Sequence, residues 1–190
     1  SEYCDILGNT FTNSGVYNLY LTGDCDNNTV DGNTLSGSSA GIRLQLSDYN
    51  TIANNDASWN SYGFSISASK NNDFLNNIAN NNTGYHGFDF GENCDDNTIV
   101  NNTANGNERN GFKFYRVDRC NITDNTANDN IQSGLSIEST SVNNDVVGNT
   151  ATGNALHGIA VNAADYNEFV DNNCSDNDNY GIYLVSVSYT

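Results

Sequence analysis

A glycine followed by two apolar residues one position apart returns along this chain at almost constant spacing. The copies are Gly41-Ile-Arg-Leu44, Gly63-Phe-Ser-Ile66, Gly87-Phe-Asp-Phe90, Gly111-Phe-Lys-Phe114, Gly134-Leu-Ser-Ile137, Gly158-Ile-Ala-Val161 and Gly181-Ile-Tyr-Leu184, with Asn18-Leu-Tyr-Leu21 as a variant first copy. Successive copies lie 22 to 24 residues apart, so eight fill all 190 residues. A second column keeps the same register, an apolar residue with asparagine three positions on: Ile6 and Asn9, Val30 and Asn33, Ile52 and Asn55, Phe74 and Asn77, Ile99 and Asn102, Ile122 and Asn125, Val146 and Asn149, Phe169 and Asn172. Five residues past that asparagine stand Ser14, Ser38, Asn60, Asn82, Asn107, Asn130, Asn154 and Asn177. A period near 23 residues held in several columns means one stacked repeat unit per period, a single solenoid domain over residues 1–190.

The period alone admits helical hairpins, leucine-rich repeats or β-solenoid coils. Helical repeats need ten or more residues with 3.6 periodicity, whereas the longest apolar pattern here is a period-2 triplet between glycine and asparagine. The spaced leucines of a leucine-rich repeat are missing too. Three short strands per coil joined by tight Asn/Gly bends remain, which is a parallel β-helix. In such a coil each strand pairs with its equivalent one coil up and one down, at about 4.8 Å, giving a rod about 35–40 Å long. Alternation turns Phe64, Phe88 and Phe112 inward as one stacked column and Phe90 with Phe114 as another. The 38 asparagines follow the same logic. Asparagine tolerates left-handed backbone at a bend, and its amide both donates and accepts, so Asn55, Asn77, Asn102, Asn125, Asn149 and Asn172 are predicted to form a self-satisfying ladder. The absence of proline fits a body in which nearly every N–H is a ladder donor.

Charge narrows the partners. With 23 acidic and 6 basic side chains the net charge is -17, which cannot neutralise a phosphate backbone and argues against nucleic acid and anionic membranes as partners. No apolar run approaches the length of a membrane span. Aromatic residues at 11% argue against a disordered tract despite the polar composition.

The recurring Asn-Thr-Ile, Asn-Asn-Thr-Ala and Gly-Phe-x-Phe strings resemble the right-handed parallel β-helix repeats of the carbohydrate-binding and sugar-hydrolase (CASH) family, whose members include pectate-lyase-like enzymes, alginate epimerases, periplasmic copper-maturation proteins and large surface proteins. The resemblance spans the whole chain and implies right-handed coils; it concerns scaffold, whereas function sits on sites carried by the scaffold. Family enzymes use outward carboxylates, often calcium, and a basic residue. Here Asp89, Lys113, Tyr115 and Glu138 fall on one outward face within about three coils and form the catalytic candidate. The stretch Tyr85-His-Gly-Phe-Asp89 is similar to the epimerase signature Tyr-Gly-Phe-Asp-Pro-His-Asp, but His86 is inserted and Phe90 and Gly91 replace the Pro and second His.

Tyr17, Tyr62, His86, His157 and Tyr180 share the column before the repeat glycine and would form a partly aromatic stripe able to stack on sugars or a neighbouring subunit. Two histidines three coils apart, about 14 Å, cannot chelate one copper or zinc ion. No cofactor signature is present; the metal that the oxygen-rich bends at Asp24, Asp26, Asp176 and Asp178 would suit is calcium, without an EF-hand pattern. Cys4 with Cys25, and Cys94 with Cys120, belong to adjacent coils at one bend with a three-residue offset, so two disulfides suit an exported protein; thiols acting as small hydrophobes are the alternative. Sequons at Asn27, Asn81, Asn101, Asn121 and Asn173 would permit glycans.

Phe11, Leu35 and the tail Leu184-Val-Ser-Val187 read as ordinary interior coils without caps, which implies a segment of a longer solenoid or a unit that stacks end to end on copies of itself. The expectation from the repeat is therefore a non-catalytic structural or adhesive solenoid, extracellular or at the cell surface. The alternative is a carbohydrate-active module that binds or cleaves an acidic polysaccharide on the Asp89–Lys113–Tyr115–Glu138 face.

Overall fold

The computed structural model describes residues 2–186 and is a parallel β-helix built from two continuous sheets. One sheet stacks eight three-residue strands, from Asp5–Leu7 through Thr51–Ala53 and Thr98–Val100 to Glu168–Val170. The other stacks eight strands of three to six residues, from Tyr17–Thr22 through Tyr62–Ser67, Phe88–Phe90, Phe112–Tyr115, Leu135–Glu138 and His157–Asn162 to Tyr180–Val185. Its register sets Phe64, Phe88, Phe112, Leu135 and Ile159 one above another. The expected third strand is reduced to one short pair, Thr10–Thr12 with Thr34–Ser36, followed by single bridges from Thr34 and Asp56 up to Asn173. Sharp bends on both sides of that segment leave one residue per coil extended enough to pair. Of the tail read as an interior coil, Val187 lies outside the described residues.

The inner columns fill the core. Phe64, Phe88, Phe90, Phe112 and Phe114 are fully buried; Phe88 stacks on Phe64 at 4.4 Å and on Phe112 at 4.7 Å, and Phe90 lies 5.1 Å from Phe114. The repeat glycine is a matter of space. A Cβ at Gly63 would lie 2.5 Å from the Gly87 carbonyl of the next coil and 2.6 Å from Ala79 Cβ, so a side chain there would force the coils apart.

Three ladders of side-chain amides hold the corners. In the first, the Asn77 N–H and Nδ2 both donate to Asn102 Oδ1, at 2.9 and 3.1 Å, while Asn102 Nδ2 donates to the Phe74 carbonyl at 2.8 Å. The column from Asn60 through Asn82, Asn107 and Asn130 to Asn154 repeats this pattern. A third ladder, absent from the expectation above, runs through Asn28, Asn50, Asn72 and Asn97 and resumes at Asn144 and Asn167, two residues before each short-strand apolar residue. The left-handed backbone expected of the ladder asparagines belongs instead to the residue before each one: Asn54, Asn76, Asn101 and Asp124 have φ near +55° and precede Asn55, Asn77, Asn102 and Asn125. Turning the chain and satisfying it are thus tasks of neighbouring residues.

This third ladder also corrects the cysteine reading, because all five cysteines are thiols. Cys4 and Cys120 occupy ladder positions, their N–H groups donating to Asn28 Oδ1 and Asn144 Oδ1 at 2.9 Å. The Cys120 thiol donates to the Cys94 carbonyl at 3.3 Å, and the Cys25 thiol to the Thr22 carbonyl at 3.0 Å. The three-residue offset between Cys94 and Cys120, and between Cys4 and Cys25, persists because the paired strands fix the register, so each sulfur meets a carbonyl.

Candidate functional site

The outward face of the long-strand sheet brings the four catalytic candidates together. Asp89 pairs in register with Lys113, and Lys113 with Ser136, while Tyr115 pairs with Glu138. Lys113 Nζ lies 5.5 Å above the Tyr115 ring, and Glu138 Oε1 accepts a 2.7 Å bond from Ser136 Oγ. Asp89 is half-buried, and desolvation raises its pKa above the usual carboxylate value; Lys113, Arg43 and Arg109 pull it down and Glu138 pushes it up.

Arginines that were not singled out in the sequence complete this face. Arg43 donates to Ser65 Oγ at 2.6 Å and Ser67 Oγ at 2.8 Å. Arg109 lies 4.5 Å above the Tyr85 ring, which stacks on Tyr62 at 4.3 Å and 4°. Arg116 lies 5.2 Å above Tyr115 and pairs with Glu92 at 2.6 Å. Four of the six basic residues of an acidic chain therefore gather here. Arg109 and Tyr85 share a bend column outside the period-2 strands, so strand alternation could not place them.

The aromatic stripe is not continuous. Ala40, Asn110 and Ser133 fill intervening register positions, leaving Tyr17 against Tyr20, Tyr62 against Tyr85, and His157 stacked on Tyr180 and Tyr183. His86 is buried, and its Nδ1 accepts the Asn110 N–H at 3.2 Å, so it is unavailable to a sugar. In the next coil Asn110 Oδ1 accepts the Ser133 N–H in the same way.

Burial lowers the His86 pKa from 6.5 to about 3, with Lys113 and Arg109 adding to the effect. The unfolded chain then takes up this proton before the folded one. The associated stability is complete above pH 6.5 and is lost as pH falls toward 3, by about 3 kcal/mol at pH 4. His86→Asn keeps the acceptor and removes the titration. Urea unfolding at pH 7 and pH 4 should show the wild type losing about 3 kcal/mol more than this variant; equal losses would show that His86 is not the group that titrates.

Asp26 Oδ1 accepts the Asp48 N–H at 2.7 Å, the Asp178 N–H donates to the Asn154 carbonyl at 3.0 Å, and Asp24 and Asp176 sit at left-handed bends. These calcium candidates are turn residues, and among the described residues no three His, Cys, Asp or Glu side chains converge as metal ligands.

The family model described as periplasmic copper-binding protein (NosD) matches residues 1–103 and again residues 87–190. The chain belongs to the NosD family. A search of curated proteins found no match. Among solved structures, the periplasmic alginate epimerase AlgG is 20% identical over 100% of this NosD-family chain and 51% of its own, with a TM-score of 0.77. The A-module of the Azotobacter vinelandii mannuronan C-5 epimerase AlgE4 is 16% identical, covering 93% of this chain and 70% of that one, with a TM-score of 0.63. A DFA-IIIase from Arthrobacter chlorophenolicus A6 is 15% identical, covering 95% and 47%, with a TM-score of 0.60. Identities this low establish the fold, and the chain spans about half the length of AlgG.

Copper, which the NosD name raises, finds no fitting ligand set among His86, His157, Cys94 and Cys120. The chain has no methionine; His86 is buried and engaged, and His157 is three coils away. Burial pushes the Cys94 thiol up to about 12 and that of Cys120 upward as well, which disfavours the thiolate a soft metal needs. No helix among the described residues is long and apolar enough to cross a membrane.

Proposed function

We propose that this NosD-family chain binds an acidic polysaccharide along the outer face of its long-strand sheet, in a periplasmic or extracellular setting. The observation that carries the reading is the gathering of Arg43, Arg109, Lys113 and Arg116 on one face of a chain with net charge -17, beside the stacked Tyr62 and Tyr85 rings. A chain this acidic repels polyanions at long range, so a local basic strip is what a uronate polymer can pair with. AlgG and AlgE4, epimerases of alginate and mannuronan, share the fold, which favours this reading over a structural or adhesive solenoid.

Calorimetric titration with an oligouronate tests it. Arg109→Ala and Lys113→Ala should each weaken binding about tenfold, and salt should weaken the wild type. Binding unchanged in both variants would remove the site.

A second reading rests on Asp89, a half-buried carboxyl with raised pKa next to Lys113: abstraction of the uronate C5 proton, with Lys113 neutralising the substrate carboxylate. Phe90 is in the core and Gly91 has no side chain, so the histidine of the epimerase signature has no counterpart there. Deuterium appearing at C5 in heavy water, lost in Asp89→Asn, would support catalysis; no exchange restricts the face to binding.

A further inference from the structure

Next to the basic strip, the same outward face opens into a groove of about 250 Å³. Its floor is Ser136 and Ala160, two small residues between Lys113 and Tyr183 in the register. Lys113 and Tyr183 are three strands apart, about 14 Å, which leaves room for one or two sugar residues between them. Glu138 and Asn162 line one wall and His157 the other.

The chemistry of this lining differs from that of the strip. Tyr183 is stacked on His157 at 4.6 Å and is 37% exposed, so it offers a fixed ring to the C–H face of a pyranose. Glu138 has one oxygen bound to Ser136 Oγ and the other available, and Asn162 adds an amide; such groups recognise neighbouring hydroxyls. Among the described residues His157 Nδ1 is the one buried side-chain nitrogen or oxygen without a hydrogen-bond partner. No lysine or arginine lines the groove. A carboxylated sugar placed here would face Glu138, a repulsion that selects against it.

We infer that the Ser136–Ala160 groove is a subsite for a neutral pyranose, adjoining the strip that pairs with uronate carboxylates. This rests on the proposed polysaccharide face and adds a second sugar class to it. Burial lowers the His157 pKa, and its ring forms the side of the groove against which Tyr183 stacks.

The test compares a neutral hexose oligomer with an oligouronate by saturation-transfer NMR and calorimetry on the wild type, Ala160→Phe, Tyr183→Ala and Lys113→Ala. Ala160 points outward, so the phenyl ring fills the groove without entering the core, and Tyr183→Ala removes the ring without filling it. Ala160→Phe and Tyr183→Ala should each lose at least tenfold affinity for the neutral oligomer and stay within twofold for the oligouronate, with Lys113→Ala showing the reverse. A wild type that ignores the neutral oligomer, or an Ala160→Phe variant that binds it undiminished, overturns the subsite. Failure of the oligouronate alone overturns the basic strip and leaves the subsite standing.

Discussion

Asn102→Ala is expected to lower the unfolding free energy by about 3–5 kcal/mol. Asn102 is fully buried, and its Oδ1 is the acceptor for both the N–H and the Nδ2 of Asn77. Its own Nδ2 serves the Phe74 carbonyl at 2.8 Å, the Val100 carbonyl at 3.1 Å and Asn125 Oδ1 at 3.1 Å. Alanine leaves the buried Asn77 N–H without an acceptor and its Nδ2 with only the Ile52 carbonyl at 2.7 Å, each lost bond costing about 1–3 kcal/mol, and leaves two carbonyls without their side-chain donor. Asn102→Asp separates the contributions, since it keeps the acceptor and removes the NH₂ group. The measurement is the urea midpoint at constant slope. A loss below about 1 kcal/mol would mean that the ladder follows from the coil rather than holding it.

Phe88→Ala should cost about 4 kcal/mol. The ring is fully buried between Phe64 and Phe112 at 4.4 and 4.7 Å, nearly parallel to both. Truncation removes the transfer free energy of the ring, opens a cavity and breaks two stacking contacts. The cavity cannot close readily, because the strands above and below are pinned by their own register. Phe88→Leu should lose less than half as much. Each coil touches only its neighbours, so hydrogen exchange should rise first in the coils holding Phe64, Phe88 and Phe112. Uniform acceleration over the whole rod would contradict that local picture.

Much of this molecule was readable in one dimension because a solenoid maps sequence period onto space. The repeat-glycine copies placed Phe64, Phe88 and Phe112 in one column, and the asparagine spacing placed Asn77, Asn102 and Asn125 in another. Bends were harder. The offset of Cys94 from Cys120 was visible, but whether a loop closes it depends on where the carbonyls point. Tyr85 and Arg109 sit where no alternation rule applies, so their stack is set by the bend geometry alone.

By itself, then, the sequence determined the parallel coil, its inward columns and the amide ladder through Asn77, Asn102 and Asn125, since like residues at one period must lie atop one another when strands pair in parallel. The tertiary structure alone decided which polar side chains meet across bends: the three basic residues Lys113, Arg43 and Arg109 around Asp89, the burial of His86, and the groove between Lys113 and Tyr183. Those contacts depend on local turn geometry and side-chain direction, which repeat spacing does not encode.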